Sequence, residues 1–168
     1  MDLSNYANYH IWAGDKIRAI LQTVTEEEFL KELGEFFSYP TLRKHIEHIL
    51  VAEEYCISFM DKTEKDTFNS EVEKIFQMTN EKLIQKWAQT DIKYAEMLRE
   101  KNIVGECILP NFLGHEFTVS NMDFLLQYIT HTTFHRGQVI IALKKLGKKV
   151  CGTDFLHYLH EIAPIPEE

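Results

Sequence analysis

In Tyr128-Ile129-Thr130-His131-Thr132-Thr133-Phe134-His135-Arg136-Gly137-Gln138, two histidines sit four residues apart on what reads as the last long helix. An α-helix turns about 100° per residue, so His131 and His135 lie about 40° apart around its axis and one turn apart along it. Phe124, Tyr128, His131, His135 and Ala142 share the inward face, and Gln138 falls about 20° from His131 on that face. Three polar side chains on a buried stripe need partners. A cation satisfies two imidazoles at once. Spacing by itself admits a plainer alternative, His131 as a hydrogen-bonded core residue and His135 at the surface. The shared inward face favours the metal.

The rest of the chain carries the same period. Leu3, Ala7, His10, Gly14, Ile17, Leu21 and Val24 alternate steps of four and three, the seam of an amphipathic helix. Thr25 followed by Glu26, Glu27 and Glu28 marks a short second helix or turn. Pro40 is expected to open the next long helix, running to about Asp61 with Leu42, Ile46, Ile49, Cys56 and Met60 inward. Residues 61–78 are polar and read as a connection. Another long helix is expected from about Thr79 to Asn102, with Ile84, Trp87, Tyr94 and Leu98 inward. Gly105, Pro110, Asn111 and Gly114 break the period over 103–119, where Phe117-Thr118-Val119 can pair as a short strand. Ser120 with Asp123 resembles a capping box for the last long helix, and Gly147 stops it. A short turn from Asp154 to Ile162 precedes the Pro164–Pro166 tail. The expected architecture is all-α: one domain over residues 1–168, a four-helix bundle with short extra helices and a possible strand pair. Bundle cores are common metal sites, because facing helices present side chains at fixed heights.

Composition narrows the function classes. Apolar residues are 45% and charged residues 26% of 168, with a net charge of −8. Basic residues form no stripe, so nucleic acid is an unsuitable partner. No run approaches the roughly 18 apolar residues of a membrane span, and Met1-Asp2-Leu3-Ser4-Asn5 lacks the basic start of a signal peptide. Cys56, Cys107 and Cys151 are odd in number and far apart, which argues against a disulfide framework and suits a reducing cytosol. A cytoplasmic protein is expected.

A third imidazole must come from elsewhere. His45-Ile46-Glu47-His48 offers two, and residue chemistry leaves His45 and His48 in competition. Glu53 falls on the apolar stripe between Ile49 and Cys56, where an acid needs a partner; a salt bridge to Arg136 is the plain alternative to a role at the site. His10 lies on the seam of the first helix as a pocket or core residue. His115, His157 and His160 fall in loop or terminal segments and read as surface residues.

Together these residues carry a resemblance. Thr41-Leu42-Arg43-Lys44-His45-Ile46-Glu47-His48-Ile49-Leu50-Val51-Ala52-Glu53-Glu54-Tyr55 resembles the first motif of the DinB family, a histidine followed five residues later by Glu. His131-Thr132-Thr133-Phe134-His135-Arg136-Gly137-Gln138 is similar to its second motif, and Lys148-Lys149-Val150-Cys151-Gly152-Thr153-Asp154-Phe155 to its C-terminal ending. Trp12-Ala13-Gly14 departs from the family's frequent Trp-Ala-Asn, and Cys56 stands where a large aromatic is common. The resemblance implies a four-helix bundle binding one divalent cation (zinc, nickel or iron) through His48, His131 and His135, and frequent homodimers. It selects His48 over His45.

Relatives include bacillithiol- and mycothiol-linked transferases and a maleylpyruvate isomerase. The expected function is therefore a metal-dependent enzyme activating a small thiol, as in a bacillithiol-type S-transferase, or water. Its substrate would be a small molecule, with Gln138 orienting a ligand histidine or bound water and Glu53 acting as outer support or proton acceptor. The alternative is a non-enzymatic metal-binding stress or sensor protein. Aromatics such as Trp12, Phe36, Phe37 and Phe76 exceed what a bundle core needs and are expected to mark a dimer face. Histidine ligands of ordinary basicity would release the metal as pH falls through roughly 6.5.

Overall fold

The computed structural model of the chain describes residues 3–100, 103–110 and 113–163. Four long helices form the bundle: α1 (Ser4–Leu21), α3 (Leu42–Met60), α5 (Asn80–Arg99) and α6 (Asn121–Lys145). Short α2 (Glu26–Leu30), α4 (Lys65–Gln77) and α7 (Phe155–Ile162) pack outside, and strands β1 (Glu106–Pro110) and β2 (Glu116–Ser120) join α5 to α6. Helix α1 packs against α5 and α6, and α3 against the same two. In cross-section α1 therefore faces α3 across the diagonal, and α5 faces α6. No described helix is long and apolar enough to cross a membrane.

Local chemistry sets most boundaries. Thr41, Thr79, Ser120 and Asp154 each accept a backbone N–H in the first turn of α3, α5, α6 and α7. Thr25 and Glu28 form a complete capping box on α2. At α6 the box is half made: Ser120 Oγ caps the Asp123 N–H, while the Asp123 carboxylate accepts from the Ser120 hydroxyl. Helix α6 ends where Gly147 takes φ +76°, with the Gly147 N–H donating to Lys144 O and the Lys148 N–H to Leu143 O. That is a Schellman stop.

Three expectations need correction. Pro40 does not open α3; Thr41 is its cap, and the Pro40 carbonyl accepts the Leu33 N–H instead. The segment 61–78 is not a bare connection, since α4 occupies most of it and packs on α3. Only Ile75 of that helix is fully buried, which is why its apolar period was faint. The turn after Asp154 is the helix α7, whose Phe155 meets Tyr9 of α1 edge-on and whose Tyr158 lies tilted against the same ring. The strand pair is present as an antiparallel hairpin with Val119 opposite Cys107 and Phe117 opposite Leu109. The Asn102 end expected for α5 and the Pro164–Pro166 tail lie outside the described residues.

Besides a small cluster of Tyr9, Ala13 and Tyr158 between α1 and α7, the bundle core falls into two apolar halves. One gathers Ile17, Leu21, Phe29, Leu42, Ile46, Trp87, Val139 and Leu143. The other gathers Leu3, Ala7, Cys56, Tyr94, Leu98, Phe124 and Ile129. Along α3 the break falls between Leu50 and Cys56, along α5 between Trp87 and Tyr94, and along α6 between Ile129 and Val139. A polar layer fills it.

Candidate metal centre

Helix α3 supplies His48, and α6 supplies His131 and His135 from successive turns. One nitrogen from each lies within 4.8 Å of the others, an arrangement that could hold a metal ion. His48 Nε2 and His131 Nε2 are 2.9 Å apart. Two bonds of about 2.05 Å meeting at 90–109° would place nitrogens about 2.9–3.4 Å apart, so the spacing fits a shared cation. The three ring centroids are 4.5–5.0 Å from one another.

The surroundings keep these rings neutral, as metal ligation requires. Burial first, then the neighbouring His131 and His45, push the His48 pKa down to about 4. Burial, then His131 and His48, push His135 down to about 4. Burial also lowers His131. Tyr39, in the irregular segment before α3, places its hydroxyl 2.7 Å from His48 Nδ1. With the Nδ1 proton donated to Tyr39 Oη, His48 presents a bare lone pair at Nε2 toward His131. Gln138 stands beside His135 and favours its protonated form, though His135 Nδ1 and Gln138 Oε1 fall outside hydrogen-bond geometry. The Gln138 amide donates to Ser38 Oγ at 2.8 Å. His45 is fully buried, edge-on to Phe37 and Tyr39, and stands outside the three-nitrogen group.

Glu53 lies inside the bundle. Its carboxylate is wholly buried, 3.2 Å from His10 Nε2, and accepts a hydrogen bond from Thr132 Oγ1 at 3.1 Å. The salt bridge weighed for Glu53 is thus made with His10 rather than with Arg136. Arg136 Nη2 instead contacts His10 Nδ1 at 2.5 Å. His10, Glu53 and Asp91 form a second buried donor group whose spacing would admit an ion. Burial first, and then Asp91, raise the Glu53 pKa. Burial and Arg136 push His10 down, but Asp91 and Glu53 outweigh them and leave it above the ordinary histidine value. Asp91 is held below the carboxylate range, because His10 and the Arg18 guanidinium more than offset burial. His115, His157 and His160 are exposed.

The model of one protein family, the DinB family, matches residues 1–168. The chain belongs to the DinB family. Among solved structures, a DinB-family member from Exiguobacterium sibiricum 255-15 is similar with a TM-score of 0.64 at 18% identity, covering 92% of this chain and 98% of that one. A DinB-like protein from Bacillus cereus ATCC 10987 is similar with a TM-score of 0.57 at 18% identity, covering 83% and 89%. No curated protein matches the chain. At these identities the likeness concerns the fold.

Two features of this DinB bundle escaped the sequence. Tyr39 sits in a segment without a period, and nothing there signals a contact to His48. Asp91 did leave a signal, being four residues after Trp87 and three before Tyr94 on the inward stripe of α5. An acid at that position needs a buried partner, by the argument applied to Glu53. Gly14 answers to the same layer. A Cβ there would collide with Asp91 Oδ2 and the Arg18 guanidinium, so the ion pair occupies the space that a side chain would need.

Proposed function

We propose that this DinB-family chain binds one divalent cation, zinc, nickel or iron, through His48, His131 and His135 and activates a small thiol of the bacillithiol type, or water, for attack on an electrophile. The observation that carries this reading is the convergence of three imidazoles whose pKa values are all depressed by burial. A divalent ion, if held by these three neutral nitrogens, would supply Lewis acidity that lowers the pKa of a small thiol or water. The chain's own part is to hold the rings. Tyr39 fixes the His48 tautomer, and Gln138 borders His135. In the thiol reaction a carbon–sulfur bond forms, the bond from carbon to the leaving group breaks with its electron pair, and the thiol proton passes to solvent.

The test incubates metal-loaded protein with bacillithiol and a chloro-aromatic or an epoxide, following adduct mass. Turnover that stops with chelator and returns with metal supports the enzyme. Tight metal binding without turnover across several thiols and esters would identify a stress or sensor protein instead. A twofold homodimer belongs to the same reading. Trp12 and Phe37 are half-buried within the chain, but Phe36, Phe76, Phe134 and Ile141 stand exposed. A monomeric mass by light scattering at micromolar concentration would refute the dimer.

A further inference from the structure

We infer that the buried layer formed by His10, Glu53, Asp91, Thr132 and Arg136 positions the three-histidine centre and is itself closed by a proton rather than by a second cation. The inference rests on the metal-binding reading above. All four long helices meet in this layer: α1 through His10 and Arg18, α3 through Glu53, α5 through Asp91, and α6 through Thr132 and Arg136. It lies between the two apolar halves of the core, and each of these side chains is at most 5% exposed.

Helix α6 links the layer to the centre. Thr132 follows His131, and Arg136 follows His135, each turned about 100° from its neighbour. One face of α6 thus presents the two imidazoles, while the next face sends Thr132 to Glu53 and Arg136 to His10. Rotating α6 enough to swing the histidines away would break both contacts. The Thr132–Glu53 hydrogen bond also joins α6 directly to α3, the helix that carries His48. The heights and orientations of the three ligands are therefore set by a bond to which none of them contributes. Buried polar contacts have no water to replace them, which makes such a setting stiff.

The proton follows from donor and acceptor counting. A guanidinium has only donors, so His10 Nδ1, 2.5 Å from Arg136 Nη2, must accept. The ring proton then sits on Nε2, within ion-pair distance of Asp91 Oδ1 (2.9 Å) and Glu53 Oε1 (3.2 Å) but outside hydrogen-bond geometry to Asp91 Oδ1. A second proton would go to Nδ1 and leave Nε2 still protonated. In neither form does Nε2 offer the bare lone pair a metal needs. Charge points the same way. With His10 neutral and both carboxylates ionised, Arg18 and Arg136 balance Asp91 and Glu53. A proton on His10 or Glu53 adds positive charge, and a divalent ion would add two more in a fully buried site.

The test titrates metal-free protein with Co(II), reading stoichiometry and affinity by calorimetry and the ligand field by visible absorption. Wild type should take up one cobalt per chain. Thr132→Val, which keeps the shape and removes the hydroxyl, should bind cobalt about tenfold more weakly with an altered d–d envelope. Thr132→Ser, which restores the hydroxyl, should recover most of both. Ile75→Val, a change in the fully buried residue of α4, is the control; it should lower the melting temperature without moving cobalt affinity or spectrum. Any of three results overturns the inference: Thr132→Val matching the control in affinity and spectrum, Thr132→Ser losing as much as Thr132→Val, or a second cobalt that disappears in Glu53→Gln. Wild type that binds no cobalt would remove the three-histidine reading itself, and this inference with it.

Discussion

Removing the metal at two pH values tests whether burial has moved the histidines away from their ordinary basicity. Metal bound to the folded chain at about a thousand times its dissociation constant stabilises by about 4.1 kcal/mol. For a chain of this size each kcal/mol moves the melting temperature by about 2–4 °C, so chelation at pH 8 should lower it by about 8–16 °C. If all three ligands kept a pKa of about 6.5, each would be protonated about ten to one at pH 5.5, weakening binding about elevenfold per ligand, and affinity would fall about a thousandfold. The metal would then contribute only about 0.3 kcal/mol, a shift of about 1 °C.

The structure leads to a different outcome. His48 and His135 are pushed down to about 4, so they remain largely neutral at pH 5.5. Both rings retain some solvent contact, and halving their shifts for screening still costs only about 0.5 kcal/mol for the pair. His131 is lowered as well and costs at most about 1.4 kcal/mol. About 2.2 kcal/mol of metal-linked stability should survive at pH 5.5, a chelator shift of about 4–9 °C. The assay is thermal melting with and without chelator at pH 8 and pH 5.5, with free metal buffered to the same activity in both. A shift present at pH 8 and reduced to about 1 °C at pH 5.5 would refute the burial argument. The metal-free protein obeys the same sign. Folded pKa values below the unfolded one mean that the unfolded chain binds more protons, so its stability should decline as pH falls from about 6.5 toward about 4.

Three further outcomes follow. His131→Ala with His135→Ala should abolish metal uptake measured by calorimetry, whereas His115→Ala, at an exposed position, should leave it intact. Tyr39→Phe removes the hydroxyl at His48 Nδ1 and should weaken metal binding about tenfold while the metal-free melting temperature barely moves; unchanged affinity would deny Tyr39 its role. Trp87→Ala empties a fully buried site in the larger core half and should cost about 3–5 kcal/mol in denaturant unfolding.

Helix period, the caps at Thr25 and Ser120 and the stop at Gly147 are local chemistry and legible in the residues. The seam from Leu3 to Leu21, the Thr25 cap and the Gly147 stop all depend on neighbours within a few positions, so one strand of text contains their causes. The four-residue spacing of His131 and His135 is local in the same sense, since a helix alone makes them adjacent. Helix α4 was missed because its one fully buried residue, Ile75, leaves almost no period to read. Whether His45 or His48 turns toward α6 was a different kind of question. They lie three apart on one helix, and only the packing of α3 on α6 sends His48 toward His131 while closing His45 in against Phe37 and Tyr39. The partners of Glu53 were equally hidden, because His10 and Thr132 lie 43 and 79 positions away and meet it only when four helices close around one layer. The sequence alone determined the helical period and with it most of the residues that turn inward, though Thr132 and Arg136 are buried where it pointed to Tyr128 and Gln138, which are half-buried. Tertiary structure decided which of them meet, because contacts between helices depend on the relative height and rotation of whole elements, and no local period encodes those.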